Sequence, residues 1–134
     1  MGFDLLIRAG SIWLLIIVAE IIHGVARVRL LEPRIGDRRA RQVAVFSGSI
    51  IVLVIAAITT PWLNPASEVA AFVVGMGWVV ATVAFELLLG RYVIGMSWPR
   101  LLADFNLARG GLMPIGLLVM LLAPWIAQRW FHGL

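Results

Sequence analysis

Long apolar runs alternate along the chain with short polar connections. The runs cover roughly 5–26, 43–62, 69–90 and 110–127, and each is near the ~20 residues that cross a ~30 Å hydrocarbon core as an α-helix. The pattern predicts an all-α integral membrane protein, with four transmembrane helices in a single transmembrane domain. Arg8 followed by Ser11 to Ala19 resembles the start of a signal peptide, but the apolar stretch continues through Glu20 to Val28. No small-x-small cleavage site follows, so the segment reads as a retained first helix.

The two halves of the chain resemble one another. Ala19-Glu20-Ile21-Ile22-His23-Gly24 is matched by Phe85-Glu86-Leu87-Leu88-Leu89-Gly90, and an arginine follows each, Arg27 or Arg91. Arg29-Leu30-Leu31 returns as Arg100-Leu101-Leu102, and Pro61-Trp62-Leu63 as Pro124-Trp125-Ile126. The matches keep their order and are separated by about half the chain. They predict two similar helical hairpins, about 5–63 and 69–127. Each unit has two helices, so the copies would share one orientation and form a parallel internal repeat about the membrane normal.

The connections set orientation and add smaller elements. Arg27, Arg29, Arg34, Arg38, Arg39 and Arg41 crowd the first, and Arg91, Arg100 and Arg109 mark the third. Thr59 to Glu68, by contrast, holds no arginine. Arginine-rich short loops stay cytoplasmic, which places both termini outside a bacterial-type inner membrane, against the weaker signals of Arg8 and Arg129. Trp62, Trp125 and Trp130 fit an outer aromatic belt and Trp98 an inner one. Glu32-Pro33 is expected to end the first helix, because the residue before proline avoids the α region. Asp37 is the expected N-cap of the second. Between the third and fourth helices, Ser97 to Ala108 predicts a short interfacial helix with Trp98, Leu101, Leu102 and Phe105 on one side. Gly110-Gly111 breaks the chain before the last helix, where Pro114 and Pro124 predict kinks.

Composition narrows the class. At 62% hydrophobic and 13% charged, the chain has too few polar residues to cover a soluble domain of its size. The absence of cysteine excludes a disulfide framework and thiolate metal sites. Every basic residue is an arginine. Arg34, Arg38, Arg39 and Arg41 would lie level with lipid headgroups, as an anionic-lipid contact or an anion patch. Arginines tethered to a bilayer point away from nucleic acid. The expected partners are the lipid itself and either further copies of the chain or a larger membrane complex.

Glu20 and Glu86 carry the candidate chemistry. A carboxylate inside a transmembrane helix costs at least ~2.5 kcal/mol and marks a site or a pairing partner. Glu20, His23 and Arg27 share one helical face, extended by Trp13, Ile16 and Gly24. The third helix offers Gly75, Val79, Thr82, Glu86 and Gly90, with Arg91 just beyond. Small residues at Ala71, Gly75 and Gly77 permit close approach. The polar faces of the first and third helices are therefore expected to meet, with the second and fourth flanking. At ~1.5 Å rise per residue the two carboxylates would lie roughly 7–10 Å below the arginine layer, within reach of a water-filled vestibule.

Several readings of this cluster are open. The acids can pair with Arg27, Arg91 or His23 and fix helix register. They can bind a proton, a small ion or a proton-linked solute, with Glu20, His23, Arg27, Thr82, Glu86 and Arg91 as the site. Glu20-x-x-His23 has the Glu-x-x-His spacing of di-iron bundles, but Leu89 stands where the second histidine should be. No cofactor is predicted, and Glu20 and His23 are the candidate ligands for a metal or haem. The same pair could serve a membrane enzyme as acid and base, although no nucleophile motif or phosphate loop accompanies them. Transport is the leading expectation. The alternative is a non-catalytic accessory or assembly subunit of a larger membrane complex, and a membrane enzyme or cofactor protein comes third.

Overall fold

The computed structural model describes residues 2–103, 105–107 and 110–131, and these are helical with no strand among them. Four helices are long and apolar enough to cross a membrane: Phe3–Ile35, Asp37–Leu63, Glu68–Ile94 and Met113–Trp130. In finer detail the first comprises α1 (Phe3–Ala26), a π-helical turn (Arg27–Leu31) and α2 (Glu32–Ile35). The second is α3 (Asp37–Leu63), and the third is α4 (Glu68–Leu88) with a π-helical turn (Leu89–Ile94). A short α5 (Trp98–Ala103) precedes α6 (Met113–Ile126), which ends in a third π turn (Ala127–Phe131).

Local chemistry explains the boundaries. Gly36, at φ +89°, adopts a conformation that side chains resist, and it separates α2 from α3. The first helix thus runs past Glu32-Pro33, contrary to the expectation that the proline would stop it. Proline fits the first turn of a helix, where its missing N–H leaves no bond unmade, and Pro33 occupies that place in α2. Asp37 is not the N-cap either. Gly36 takes that position with no side-chain cap, and the Asp37 carboxylate turns instead to arginines. At the opposite end Asn64, at φ +47°, closes α3 with its N–H on the Thr60 carbonyl. Ser67 caps α4 by accepting from the Ala70 N–H at 3.1 Å.

The predicted interfacial helix is shorter than expected. Ser97 does cap it, through the Arg100 N–H at 3.4 Å, but regular helix ends at Ala103. Asp104 and Ala108 lie outside the described residues, as does Arg109 of the arginine-rich connection. Pro114 begins α6 rather than kinking it, and Pro124 lies within it.

Several hydroxyls in the spans are satisfied by their own helices. Ser11, Ser49, Thr59 and Thr60 donate to the carbonyl four residues back, the usual outlet for a hydroxyl on a helix in lipid. Leu14, Ile50, Ile58 and Val80 are exposed around the outside, a surface suited to acyl chains.

The helices form a ring in which α1 packs on α3, α3 on α6, and α6 on α4. Contact between α1 and α4 is slight by comparison. The first and third spans nevertheless meet through their polar faces, where the Trp13 and Trp78 indole N–H groups donate to Thr82 Oγ1 and the Ala9 carbonyl, each at 3.0 Å. Gly75 serves the α4–α6 contact instead, lying against the Leu121 main chain. The core consists of Ile12, Ile16, Val52, Ala56, Leu63, Val74, Trp78, Met120, Ala123 and Ala127. These residues fill the half of the bundle away from the arginine-rich connections. That same end is latched by Arg129 to Glu68 at 3.2 Å and Gln128 to the Pro65 carbonyl at 2.9 Å.

Candidate functional site

A cavity of about 850 Å³ opens between the helices in the arginine-rich half of the bundle. Its wall includes Glu20, His23, Arg27, Thr82 and Glu86. The two glutamates, on separate helices, thus share one compartment and lie close enough for their charges to interact.

Glu20 projects from α1 toward α3, where Gly48 makes room for it. A Cβ on Gly48 would stand 3.0 Å from Glu20 Oε2. That oxygen is 3.7 Å from His23 Nδ1, and the other ring nitrogen, Nε2, is 2.7 Å from Ser47 Oγ. Glu20 Oε1 is buried and has no hydrogen-bond partner. Glu86 is exposed into the cavity. No arginine nitrogen comes within 4.0 Å of either carboxylate among the described residues.

Deeper in the bundle, the cavity ends on a polar relay within the core. Trp13 Nε1 donates to Thr82 Oγ1 at 3.0 Å, and Thr82 Oγ1 lies 3.3 Å from Met120 Sδ. Trp13 also meets Phe85 edge to face, with centroids 6.2 Å apart. Three helices are tied by these contacts at the closed end of the cavity.

At the opposite, open end stands a collar of arginines. Asp37 accepts from Arg100 Nη2 at 2.8 Å and Arg41 Nη2 at 3.1 Å. Gln42 donates to the Gly110 carbonyl at 2.8 Å, and Arg38 lies over the same glycine. Arg27, Arg38, Arg41 and Arg100 all line the cavity.

Of the residues expected to form a site, Glu20, His23, Arg27, Thr82 and Glu86 are brought together. Arg91 is not: it donates to the Met96 carbonyl at 3.2 Å and stacks over Trp98, leaving it outside the cavity wall. Arg38 and Arg41 face the cavity, whereas Arg34 and Arg39 are exposed elsewhere. Ser47, Gly48 and Arg100 were not legible as site residues. The Ser47-Gly48-Ser49 run in an otherwise apolar helix was the available signal for the first two. Among the described residues no cluster of three or more His, Cys, Asp or Glu gathers as a metal site. Glu20 and His23 do share a face, but His23 Nε2 is occupied by Ser47.

No protein-family model, curated protein or solved structure matches this chain.

Proposed function

We propose that the chain moves a small ion or a proton-linked solute across its membrane through a site built on Glu20 and Glu86. One observation carries the reading: carboxylates from two helices enter a single cavity, and among the described residues neither has an arginine nitrogen within 4.0 Å, although Arg27 acts electrostatically on Glu86. Acids retained only to hold helices in register would pair with a permanent cation, because an unpaired charge in a low-dielectric interior is costly, whereas Glu20 stands 3.7 Å from His23, a cation only when protonated. Two acids in one such compartment favour holding a proton between them, the chemistry that couples proton and solute movement. Glu20 Oε1, without a partner among the described residues, is consistent with this, since such an oxygen is open to a proton, a cation or a water in the cavity.

The closed end at Trp13, Thr82 and Met120 suits a site open to one side at a time. By the arginine bias the open end faces the cytoplasm of a bacterial-type inner membrane, with both termini outside. We read the halves, about 5–63 and 69–127, as duplicated hairpins. A π turn shortly beyond each glutamate, at Arg27–Leu31 and Leu89–Ile94, supports that reading. Four helices enclose little volume, so transport calls for a homo-oligomer.

Proteoliposomes with an entrapped pH-sensitive dye test the proposal under an imposed pH gradient. Glu20→Gln and Glu86→Gln should each abolish flux while the protein still purifies folded. Unchanged flux in both variants refutes it.

A further inference from the structure

The arginines at the open end do more than the glutamate site requires. Arg27 begins the π turn that follows α1, Arg41 lies in the second turn of α3, and Arg100 in α5. All three line the cavity, and Arg27 and Arg100 both act electrostatically on Arg41. Asp37 reaches Arg41 and Arg100, and among the described residues no carboxylate oxygen lies within 4.0 Å of Arg27, which interacts with Glu86 only at longer range. Two buried donors, Arg27 Nε and Arg100 Nη1, have no hydrogen-bond partner among the described residues. Among the described residues of the cavity wall, five arginines face four carboxylates. That excess grows whenever Glu20 or Glu86 takes up a proton.

Guanidinium groups gathered this way repel one another unless an anion joins them, and their planar donors match phosphate and carboxylate oxygens. We infer that the collar is an oxyanion site: Arg27, Arg41 and Arg100 hold a phosphate or carboxylate group at the mouth of the cavity. This rests on the transport reading in one respect, that the same group is how the moved solute is bound. Glu20 and Glu86 then stand deeper than the anion, placed to carry the accompanying proton.

The oxyanion can belong to a free solute or to a lipid headgroup, and one experiment separates them. The full chain, delipidated in a neutral detergent, is titrated with inorganic phosphate and, in parallel, with phosphatidylglycerol in the micelles. Thermal unfolding is the readout. A saturable rise in Tm with phosphate, weakened about tenfold or more in Arg27→Gln and in Arg100→Gln, establishes the site with a free anion as its source. A saturable response to phosphatidylglycerol alone, lost in the same variants, establishes it with a lipid headgroup as its source.

Arg27→Gln removes no hydrogen bond among the described residues, so it reports on binding even if Arg100→Gln disturbs α5. Arg34→Gln and Arg39→Gln, outside the cavity, should leave the titration unchanged. No saturable response to either probe overturns the proposal. So does equal weakening in the Arg34 and Arg39 variants, which would mark general surface charge. Phosphate binding that persists while flux is unaffected by both glutamate variants would remove the transport reading and leave the anion site standing.

Discussion

Gly48 of α3 faces Glu20 of α1 so closely that a Cβ on the glycine would stand 3.0 Å from Glu20 Oε2. The glycine is the notch into which the carboxylate folds, while neighbouring Ser47 takes His23. Gly48→Ala should therefore displace the carboxylate without breaking the helix pair. Alanine is favoured over glycine in a helix by ~1 kcal/mol, and the obstacle is the end of a flexible side chain rather than backbone. Tm in detergent should hold or rise slightly, while flux through the proposed site falls severalfold. Wild-type flux in Gly48→Ala would show that the notch does not set the position of Glu20.

Thr82 is a buried acceptor for the Trp13 indole N–H and a neighbour of Met120 Sδ. Thr82→Val keeps the shape and removes the hydroxyl, leaving the indole N–H without its acceptor. Polar contacts between helices in membranes are worth about 1 kcal/mol, so the loss should be of that order, read as a lower unfolding midpoint in a denaturing-detergent titration. Trp13→Phe in the same background should cost less than the separate effects added together, because the two residues share one bond. Strict additivity would show that the bond contributes nothing.

The four spans were legible because hydrophobic length alone reports them, and so was the shared face of Glu20, His23 and Arg27, which follows from the 3.6-residue period. The order of helices around the ring was not legible. A small residue such as Gly75 signals a close approach but does not name the helix that approaches, and it meets α6 rather than α1. Arg91 is expected at the site only because it follows Glu86 closely; five positions on is about 140° around an α-helix, and the side chain turns to the Met96 carbonyl and the Trp98 ring instead. Arg100 joins the collar through a contact with Asp37 across 63 residues of sequence, which no local pattern encodes.

Asp37 joins the start of α3 to α5 by accepting from Arg41 and Arg100. Its side chain is partly exposed, and pairs of that kind contribute only ~0–1 kcal/mol. Asp37→Asn should leave global Tm nearly unchanged. Local order should nevertheless suffer, because α5 is short and α3 holds it mainly through this carboxylate. Hydrogen exchange at the amides of 98–103 is expected to quicken in Asp37→Asn, while exchange within α6 stays as in the parent. Unaltered exchange over 98–103 would show that α5 is held by Leu101 against Gly90 and not by the arginine bridge.

Gly75 and Gly77 sit two residues apart on α4 and should respond oppositely to the same change. A Cβ on Gly75 would run into the Leu121 main-chain carbonyl of α6, whereas a Cβ on Gly77 meets nothing within 4 Å. Gly75→Ala must therefore push α4 and α6 apart, and overpacking of this kind costs about 1–3 kcal/mol. Gly77→Ala gains helix propensity with no steric penalty and should match or exceed the parent in Tm. Trimming Leu121 to alanine should not rescue Gly75→Ala, since the obstacle is backbone. Recovery of the parent midpoint in the Gly75→Ala, Leu121→Ala double variant would place the contact on the leucine side chain and contradict the close α4–α6 crossing.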